Sequence, residues 1–518
     1  MPRAYDARDG ERSVFDALLE ARERYGAKKP ILEDQDRNPL SYTDLIRASF
    51  ALGRRIASFT ERGERVGVLL PSGSGVVVTF FGLHAFGRIP TMLNFTSGLR
   101  NLRAACKLAG VKRVLTAHRF IEQGKLHDLI DALEESAEVI YLEDVREKIG
   151  LADKLFAATA GIFPRQFRVP LKPDEPGVIL FTSGSFGAPR GVVLSHGNLV
   201  SNVRQIEAHI DLDPDWVMFN PLPTFHCFGL TGGVLLPILT GMKAFEYPSP
   251  LHIKQIPALI KDSGASILLA TDTFLNQYAR SSDADELSGL KFIVCGAEKV
   301  REETHNLIAE RFGPIPVLEG YGATEASPVV AVNTPLDNRR GTVGGMLPGM
   351  ETRIEPVEGI KEGGRLFLRG PNVMAGYLNE AGGVDPLPGG WHDTGDVVVM
   401  EGDERWVTIK GRVKRFAKIG GEMVSLTAAE DLAVAVWPDG RHAVIAMPDK
   451  KKGERLVLFT DRADADVGPL VAHAQSIGAP ELTVPRRIIR IAEVPVLGTG
   501  KTDYVAIQRM AETDSRAA

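Results

Sequence analysis

Residues 181–191 read FTSGSFGAPRG, so Thr182, Ser183, Gly184, Ser185 and Gly187 crowd together ahead of Arg190. Hydroxyls and glycine N–H groups at this density can hold an anion, and the arginine adds the charge that a polyphosphate attracts. The run is not a Walker A loop, because G-x-x-x-x-G-K-[ST] cannot be aligned to it. A nearer match, GTGKT at 498–502, has Gly500, Lys501 and Thr502 in order, but Pro495 stands where the first glycine belongs. Taken alone, FTSGSFGAPRG fits a phosphate-closing flap and a plain surface hairpin equally. Phe186 is the residue that suits neither reading well.

Six further stretches of similar character follow it in the chain. They are FNPLPTFHCFGLTGG (219–233), VCGAEKV (294–300), LEGYGATEASP (318–328), GGWHDTGDV (389–397), GRVKRFAKIGGEMVS (411–425) and PVLGTGKTD (495–503). A histidine among aromatics, such as His226, is by residue type a packed core residue rather than an acid or base. Cys227 beside it reads as inert packing, since nothing local would lower its thiol pKa. Gly232 and Gly233 precede an apolar helical run, where each glycine costs about 0.5–1 kcal/mol relative to alanine. Room for a bound acyl chain and close helix packing both account for that cost.

The elements that must carry these stretches are legible from periodicity. Short β-branched runs at 65–70 (RVGVLL), 177–181 (GVILF), 266–270 (SILLA) and 291–295 (KFIVC) alternate with helical patterns. One such pattern places Leu199, Val203, Ile206 and Ile210 on one face after Ser195, a candidate cap. Alternation of this kind predicts an α/β fold of layered, mostly parallel sheets with helices. GGRLFLRGP, DVVVME and ERWVTIKGR instead read as short antiparallel strands, and we expect them to form a small β-barrel-like part. Beyond them lies a small α+β segment, in which T-A-A-E (Thr427 to Glu430) marks a helix start as a capping box. The reading is a large domain over 1–412 and a small mobile domain over 413–518, with a hinge at about 412–415.

Composition is that of an ordinary globular protein. The chain has 518 residues, 44% hydrophobic and 25% charged, with a net charge of −5, too long for one core and without the basic excess of a nucleic-acid binder. Three well-separated cysteines, Cys106, Cys227 and Cys295, with no CxxC pair, fit a reducing, cytoplasmic setting. The N-terminus is too charged for a signal peptide, and no apolar run approaches the roughly 18–20 residues of a membrane span. We therefore expect at most peripheral membrane association, at the inner face.

In order and content the seven stretches resemble the adenylate-forming superfamily, which includes acyl-CoA synthetases, luciferases and peptide-synthetase adenylation domains. The resemblance runs from about residue 12 to 510. FHCFGLTGG, YPSPLH, CGAEKV, EGYGATEASPVVAVNTP and KRFAKIGGEMVSL look most like the acyl-ACP synthetase portion of the bifunctional 2-acylglycerophosphoethanolamine acyltransferase/acyl-ACP synthetase. No His-x4-Asp acyltransferase motif is present.

The resemblance implies two steps. A carboxylate attacks the α-phosphate of ATP, and a thiol then attacks the resulting acyl-adenylate. It implies that Thr182, Ser183, Gly184, Ser185, Gly187 and Arg190 hold the β- and γ-phosphates. It further places Gly296, Ala297, Glu298, Glu319, Gly320, Tyr321, Gly322 and Arg412 around the nucleotide, with Tyr321 stacked on adenine and Asp396 accepting from the ribose. Thr324 would meet the α-phosphate, and Glu325 would bind Mg²⁺, a hard cation suited to carboxylate oxygen. Lys501 would offset charge developing in adenylation. His226, Phe228 and Gly232 would line the acyl pocket, and Lys414 would lie in the hinge. Lys418, Gly420 and Gly421 would face the incoming thiol. The common family form has threonine at Phe186 and lysine at Arg190.

The implied substrates are ATP with Mg²⁺, a fatty acid, and acyl carrier protein, with coenzyme A as the alternative acceptor and no nucleic acid. Recycling of fatty acid from lysophospholipid is an analogy only. From Arg405 onward the chain has a net charge of +4, so the rest carries −9. Lys414, Arg415 and Lys418, Lys450–Lys452, and Arg486, Arg487 and Arg490 could steer an acidic carrier. Such runs are equally solvated surface, and the 3′-phosphate of coenzyme A would welcome them too. A non-catalytic lipid or carrier-protein binder with the same fold is the reading from another class, motivated only by Phe186 and Arg190.

Overall fold

The computed structural model describes residues 4–183, 189–403, 405–419, 422–449, 453–497 and 501–517. Its backbone packing divides into two compact units. The first comprises Met1–Asn338, Leu347–Met350 and Arg369–Gly390, and the second Arg339–Met346, Glu351–Leu368 and Trp391–Ala518.

The first unit contains two sheets. In one, Pro30–Asp34, Lys243–Glu246, Val217–Asn220, Ile267–Ala270, Phe292–Cys295 and Val317–Gly322 lie side by side and parallel. Ile267–Ala270 is buried at all four positions, which explains its unbroken apolar run: a parallel strand covered on both faces has no solvent side to alternate toward. Phe219, Phe245, Leu268, Tyr278 and Ile293 belong to the core packed against this sheet. In the other, Glu138–Tyr141, Arg113–Thr116, Arg65–Val68, Ile89–Met92 and Pro176–Ser183 run parallel. Pro189–Ser195 folds back antiparallel on Pro176–Ser183, pairing Thr182 with Arg190. Ser195 caps the helix His196–His209, as its position in the sequence predicts.

The second unit is built differently. Glu351–Glu355, Gly364–Arg369, His392–Glu401, Trp406–Arg412 and Gly345–Met346 lie in that order, with the last four antiparallel. These antiparallel pairings are those that the strand pattern of the sequence predicts. Further on, Phe416–Ile419, Glu422–Ser425, His442–Asp449, Gly453–Thr460 and Arg487–Arg490 form a second sheet. Val444, Leu456 and Leu458 enter one apolar cluster with the helix Leu426–Val436. Ala443, Ile445, Val457 and Phe459 enter another with the helix Tyr504–Ala517, as strand alternation requires. Both clusters draw only on residues after 416.

The capping box expected at Thr427 and Glu430 does not form. Ser425 caps the helix by accepting from the Ala428 N–H at 3.2 Å. Glu430 turns inward, where it accepts from the Val444 N–H and the Tyr504 hydroxyl at 2.7 and 2.9 Å. An interior arginine partner, Arg415 at 2.7 Å, outcompetes the helix end for that carboxylate.

Candidate functional site

In the first unit, several of the candidate residues converge. The strand Val317–Gly322 carries Glu319, Gly320, Tyr321 and Gly322 and leads through Ala323 into a short turn, Thr324–Ala326. A Cβ on Gly322 would lie 2.3 Å from the Pro328 carbonyl oxygen, so only glycine fits where this chain reverses. Asn372, fully buried, donates to the Ala326 carbonyl at 2.8 Å, and Ser327 donates to the Asn372 carbonyl at 2.7 Å. The Met374 N–H donates to the Glu325 carbonyl at 2.8 Å. These bonds fix the backbone that presents Thr324 and Glu325.

The Glu325 carboxylate accepts from the Tyr377 hydroxyl at 2.7 Å, and the guanidinium of exposed Arg190 lies 3.7 Å from the centre of the Tyr377 ring. One aromatic side chain therefore ties Glu325 to Arg190. Nothing in the spacing of the motifs pointed to Tyr377 or Asn372. They lie between two motifs, in a stretch with no local sign of chemistry. Gly184, Ser185, Phe186 and Gly187 lie outside the described residues. Thr182 ends the described strand on the side of Arg190, half-buried, with Ser183 next to it in the backbone.

Phe228 opens a π-helical turn, Phe228–Leu235, and both it and His226 are half-buried. The His226 Nδ1 accepts from the Phe228 N–H at 3.3 Å. A Cβ on Gly232 would meet the Phe228 ring at 3.3 Å, and one on Gly296 would meet the same ring at 3.2 Å. The ring thus lies against both glycines and joins the acyl-pocket candidates to the CGAE turn. Gly233 is a different case: a Cβ there would fall 1.9 Å from the Asn220 Nδ2, which donates to the buried Glu246 at 2.9 Å. Close packing accounts for Gly233, while a Cβ on Gly232 would meet only the Phe228 ring and Leu269, at 3.3 and 3.4 Å. Burial, the first cause, pushes the Cys227 thiol up to about 12, in keeping with an inert role.

Glu298 and Glu319 have partners that hold the turn after Phe292–Cys295. Glu298 accepts from the Thr273 N–H at 3.1 Å, at the start of the helix Asp272–Ser281. Ala297 sits at φ 71°, a left-handed conformation uncommon for a residue with a Cβ. Burial raises the Glu319 carboxyl to about 7, against a hydrogen bond from the Val300 N–H and the positive charge of Lys299.

The second unit carries the remaining candidates. Asp396 is buried in the strand His392–Glu401, opposite Arg412, whose Nε donates to its carboxylate at 2.9 Å. Its backbone N–H donates to the Thr394 hydroxyl at 3.0 Å. Lys414 lies in the single turn Val413–Arg415 that follows. Lys418 is on the strand Phe416–Ile419, exposed, with Glu358 at 3.9 Å. Gly420 and Gly421 lie outside the described residues. The Lys501 carbonyl accepts from the Leu497 N–H at 2.7 Å, and Val496 and Thr502 form a β-bridge.

Arg415 does not belong to a steering surface. Its side chain is mostly buried, stacked 3.9 Å from the centre of the Tyr504 ring and paired with Glu430. That network anchors the helix that starts at Tyr504, just after Lys501. Arg490 is also committed, donating to the Ala465 carbonyl at 2.6 Å. Lys450, Lys451 and Lys452 lie outside the described residues.

No cluster of three His, Cys, Asp or Glu side chains fit to hold a metal occurs among the described residues. A lone carboxylate suits Mg²⁺ all the same, since Mg²⁺ is usually held by one or two carboxylates together with substrate phosphates. A recess of about 430 Å³ lined by Arg12, Glu20, Arg24 and Arg204 includes none of the candidates. No helix among the described residues is long and apolar enough to cross a membrane.

The chain is similar to known proteins along most of its length. A family model described as AMP-binding enzyme matches residues 18–378. The chain is 28% identical over 462 residues to 4-coumarate–CoA ligase 2 of Oryza sativa subsp. japonica, covering 80% of this chain and 78% of that protein. It is 27% identical over 502 residues to the medium-chain fatty-acid–CoA ligase of Escherichia coli (strain K12), covering 90% and 85%. Among solved structures, the anthranilate CoA ligase AuaEII in complex with anthranoyl-AMP superposes with a TM-score of 0.83 at 20% identity, over 99% of this chain and 100% of that one. ATP-bound MatB from Rhodopseudomonas palustris gives 0.82 at 23% identity, over 96% and 99%.

Proposed function

We propose, since the chain belongs to the AMP-binding enzyme family and is an AMP-forming acid–thiol ligase using ATP and Mg²⁺, that its acid is a fatty acid and its acceptor the phosphopantetheine thiol of acyl carrier protein. The observation that carries the adenylation half is the contact chain from Arg190 through Tyr377 to Glu325. It links a phosphate-facing cation and a metal-binding carboxylate through one rigid ring.

A fatty carboxylate is a poor acyl donor because its leaving group would be oxide. In the first step its oxygen attacks the α-phosphorus, and the bond to the bridging oxygen of pyrophosphate breaks. Arg190 and the hydroxyls of Thr182 and Ser183 bind the departing phosphates, and Thr324 orients the α-phosphate. Glu325 would hold Mg²⁺, which would supply positive charge against the phosphates. Lys501 offsets the negative charge that builds in this step. In the second step a thiol adds to the acyl carbonyl and AMP leaves, with Lys418 and the Gly420-Gly421 pair at the thiol. Tyr321 and Asp396 hold adenine and ribose, while Gly296, Ala297 and Gly320 let backbone approach the nucleotide. We assign the segment 413–518, which has apolar clusters of its own, as the part that moves between the two steps about Lys414.

For the fatty acid, the support is the wide match to a fatty-acid ligase and the Phe228 ring against Gly232. For the carrier, it is the net positive charge of the C-terminal segment. Coenzyme A is the second reading, favoured by relatives whose names specify it. Fatty-acid-dependent ATP–pyrophosphate exchange, followed by thioester formation on carrier protein and on coenzyme A at matched concentrations, tests both parts. Preference for coenzyme A overturns the acceptor, and exchange only with aromatic acids overturns the substrate class.

A further inference from the structure

The helix Leu151–Ile162 is inside out for a soluble protein. Leu151, Leu155, Ile162 and the following Phe163 are 74, 60, 58 and 52% exposed. At 100° per residue the first three fall within about 40° of one another, along a ridge about 16 Å long. Ala158 lies on the same ridge and is also exposed.

The opposite face holds the helix down with small residues and charge. Asp153, Ala157, Ala160 and Gly161 are buried. A Cβ on Gly161 would come 2.5 Å from the Arg47 Cγ, so the helix lies as close to its neighbour as glycine permits. The Asp153 carboxylate receives Arg54 at 3.3 Å and Arg55 at 3.9 Å. Phe156 is wedged sideways against Phe50 and Phe167, with the Arg54 guanidinium 4.4 Å from its ring centre. Orientation is therefore set by firm contacts, and the large apolar side chains are held outward by them.

Charge around the ridge leans positive. Between residues 150 and 166 the exposed charged side chains are Lys154 and Arg165, with no acid, although Arg165 is shared with Glu23. Just ahead, exposed Arg146 and Lys148 are balanced by Asp144 and Glu147, so Lys154 is the cation on the helix that no acid offsets within this stretch. An apolar ridge flanked by cations complements an apolar phase under an anionic surface, where long basic side chains keep their charge at the headgroups.

We propose that this helix docks the enzyme in the plane of an anionic phospholipid bilayer, with Leu151, Leu155, Ile162 and Phe163 inserted. The inference rests on the surface alone and is independent of which acid or thiol the enzyme uses. The test is co-sedimentation of the full chain with equimolar phosphatidylglycerol/phosphatidylcholine vesicles and with pure phosphatidylcholine vesicles. The protein binds the anionic vesicles more tightly. Leu155→Gln with Ile162→Gln weakens binding to both by at least about ten-fold. Lys154→Glu weakens it about five-fold on anionic vesicles only. All these positions are exposed, so melting temperature and exchange activity without lipid stay unchanged, which separates this outcome from failure of the ligase reading. Absence of vesicle binding, or equal binding by the double variant, overturns the proposal. So does a solution dimer that the double variant dissolves while no chain meets the vesicles, because the ridge then joins two copies.

Discussion

Replacing Tyr377 by phenylalanine removes one oxygen and leaves the ring. What it deletes is the hydrogen bond to Glu325 at 2.7 Å; the stacking of Arg190 at 3.7 Å stays. A hydrogen bond to a charged group contributes about 1.5–3 kcal/mol, and half-burial of both partners puts this one near the lower end. About 1.5 kcal/mol corresponds to about ten-fold in rate. Tyr377→Leu also removes the ring beneath an exposed cation, worth about 0.5–1 kcal/mol, or a further two- to five-fold. If Tyr377 positions Glu325 for Mg²⁺, both losses fall on ATP–pyrophosphate exchange and shrink at high Mg²⁺. Thiolation of a supplied acyl-adenylate stays near the parent rate. Exchange unaffected in Tyr377→Phe, or equal losses in the two half-reactions, would refute the assignment.

Other consequences follow from neighbouring geometry. Gly233→Ala pushes a methyl into Asn220 and destabilises the first unit by at least about 2 kcal/mol, read by thermal melting, whereas Gly232→Ala, whose methyl meets Phe228 at 3.3 Å, costs less and shifts chain-length preference. The reverse ranking would mean that Gly232, not Gly233, is the packing glycine. Lys501→Ala lowers exchange by at least about 100-fold while a supplied acyl-adenylate still reacts with thiol; loss of both would sink its assignment to the first step. Glu319 holds its proton to about 7 in the folded chain against an ordinary 4.5. Folding therefore favours the protonated form, and that stability is lost as pH rises from the lower value through the upper one, by up to about 3 kcal/mol. Glu319→Gln should accordingly gain stability over the parent at pH 8 and not at pH 4; a gain equal at both would show that burial of charge is not the cause.

The layers of the first unit were readable because parallel strands buried on both faces leave continuous apolar runs, as at Ile267–Ala270, and because Ser195 signals its helix locally. The short antiparallel strands of the second unit were readable from their alternation. The start of the helix Leu426–Val436 was misplaced, because a helix end is decided by competition that is not local. T-A-A-E satisfies a local rule, yet Arg415 and Tyr504 offered Glu430 an interior site that no window of a few residues reveals.

The candidate site divides along the same line. Residues inside the glycine-rich motifs could be named from the chain alone, because backbone approach and exposed hydroxyls demand unusual composition. Those that hold the motifs in place could not: Asn372 beneath the Thr324–Ala326 turn, Tyr377 between Arg190 and Glu325, and Asn220 behind Gly233 are ordinary residues in ordinary surroundings. Asn372 and Tyr377 act on a turn 46 and 52 residues before them, and Asn220 on the far end of its own stretch, through one or two hydrogen bonds in a buried or half-buried setting. Bonds there are worth more than on the surface, because a partner left behind finds no water to replace what it lost. Substitutions at these supports should thus impair the half-reaction their motif serves nearly as much as changes within the motif. Tyr377 is the sharpest case, since removing a single oxygen separates support from fold.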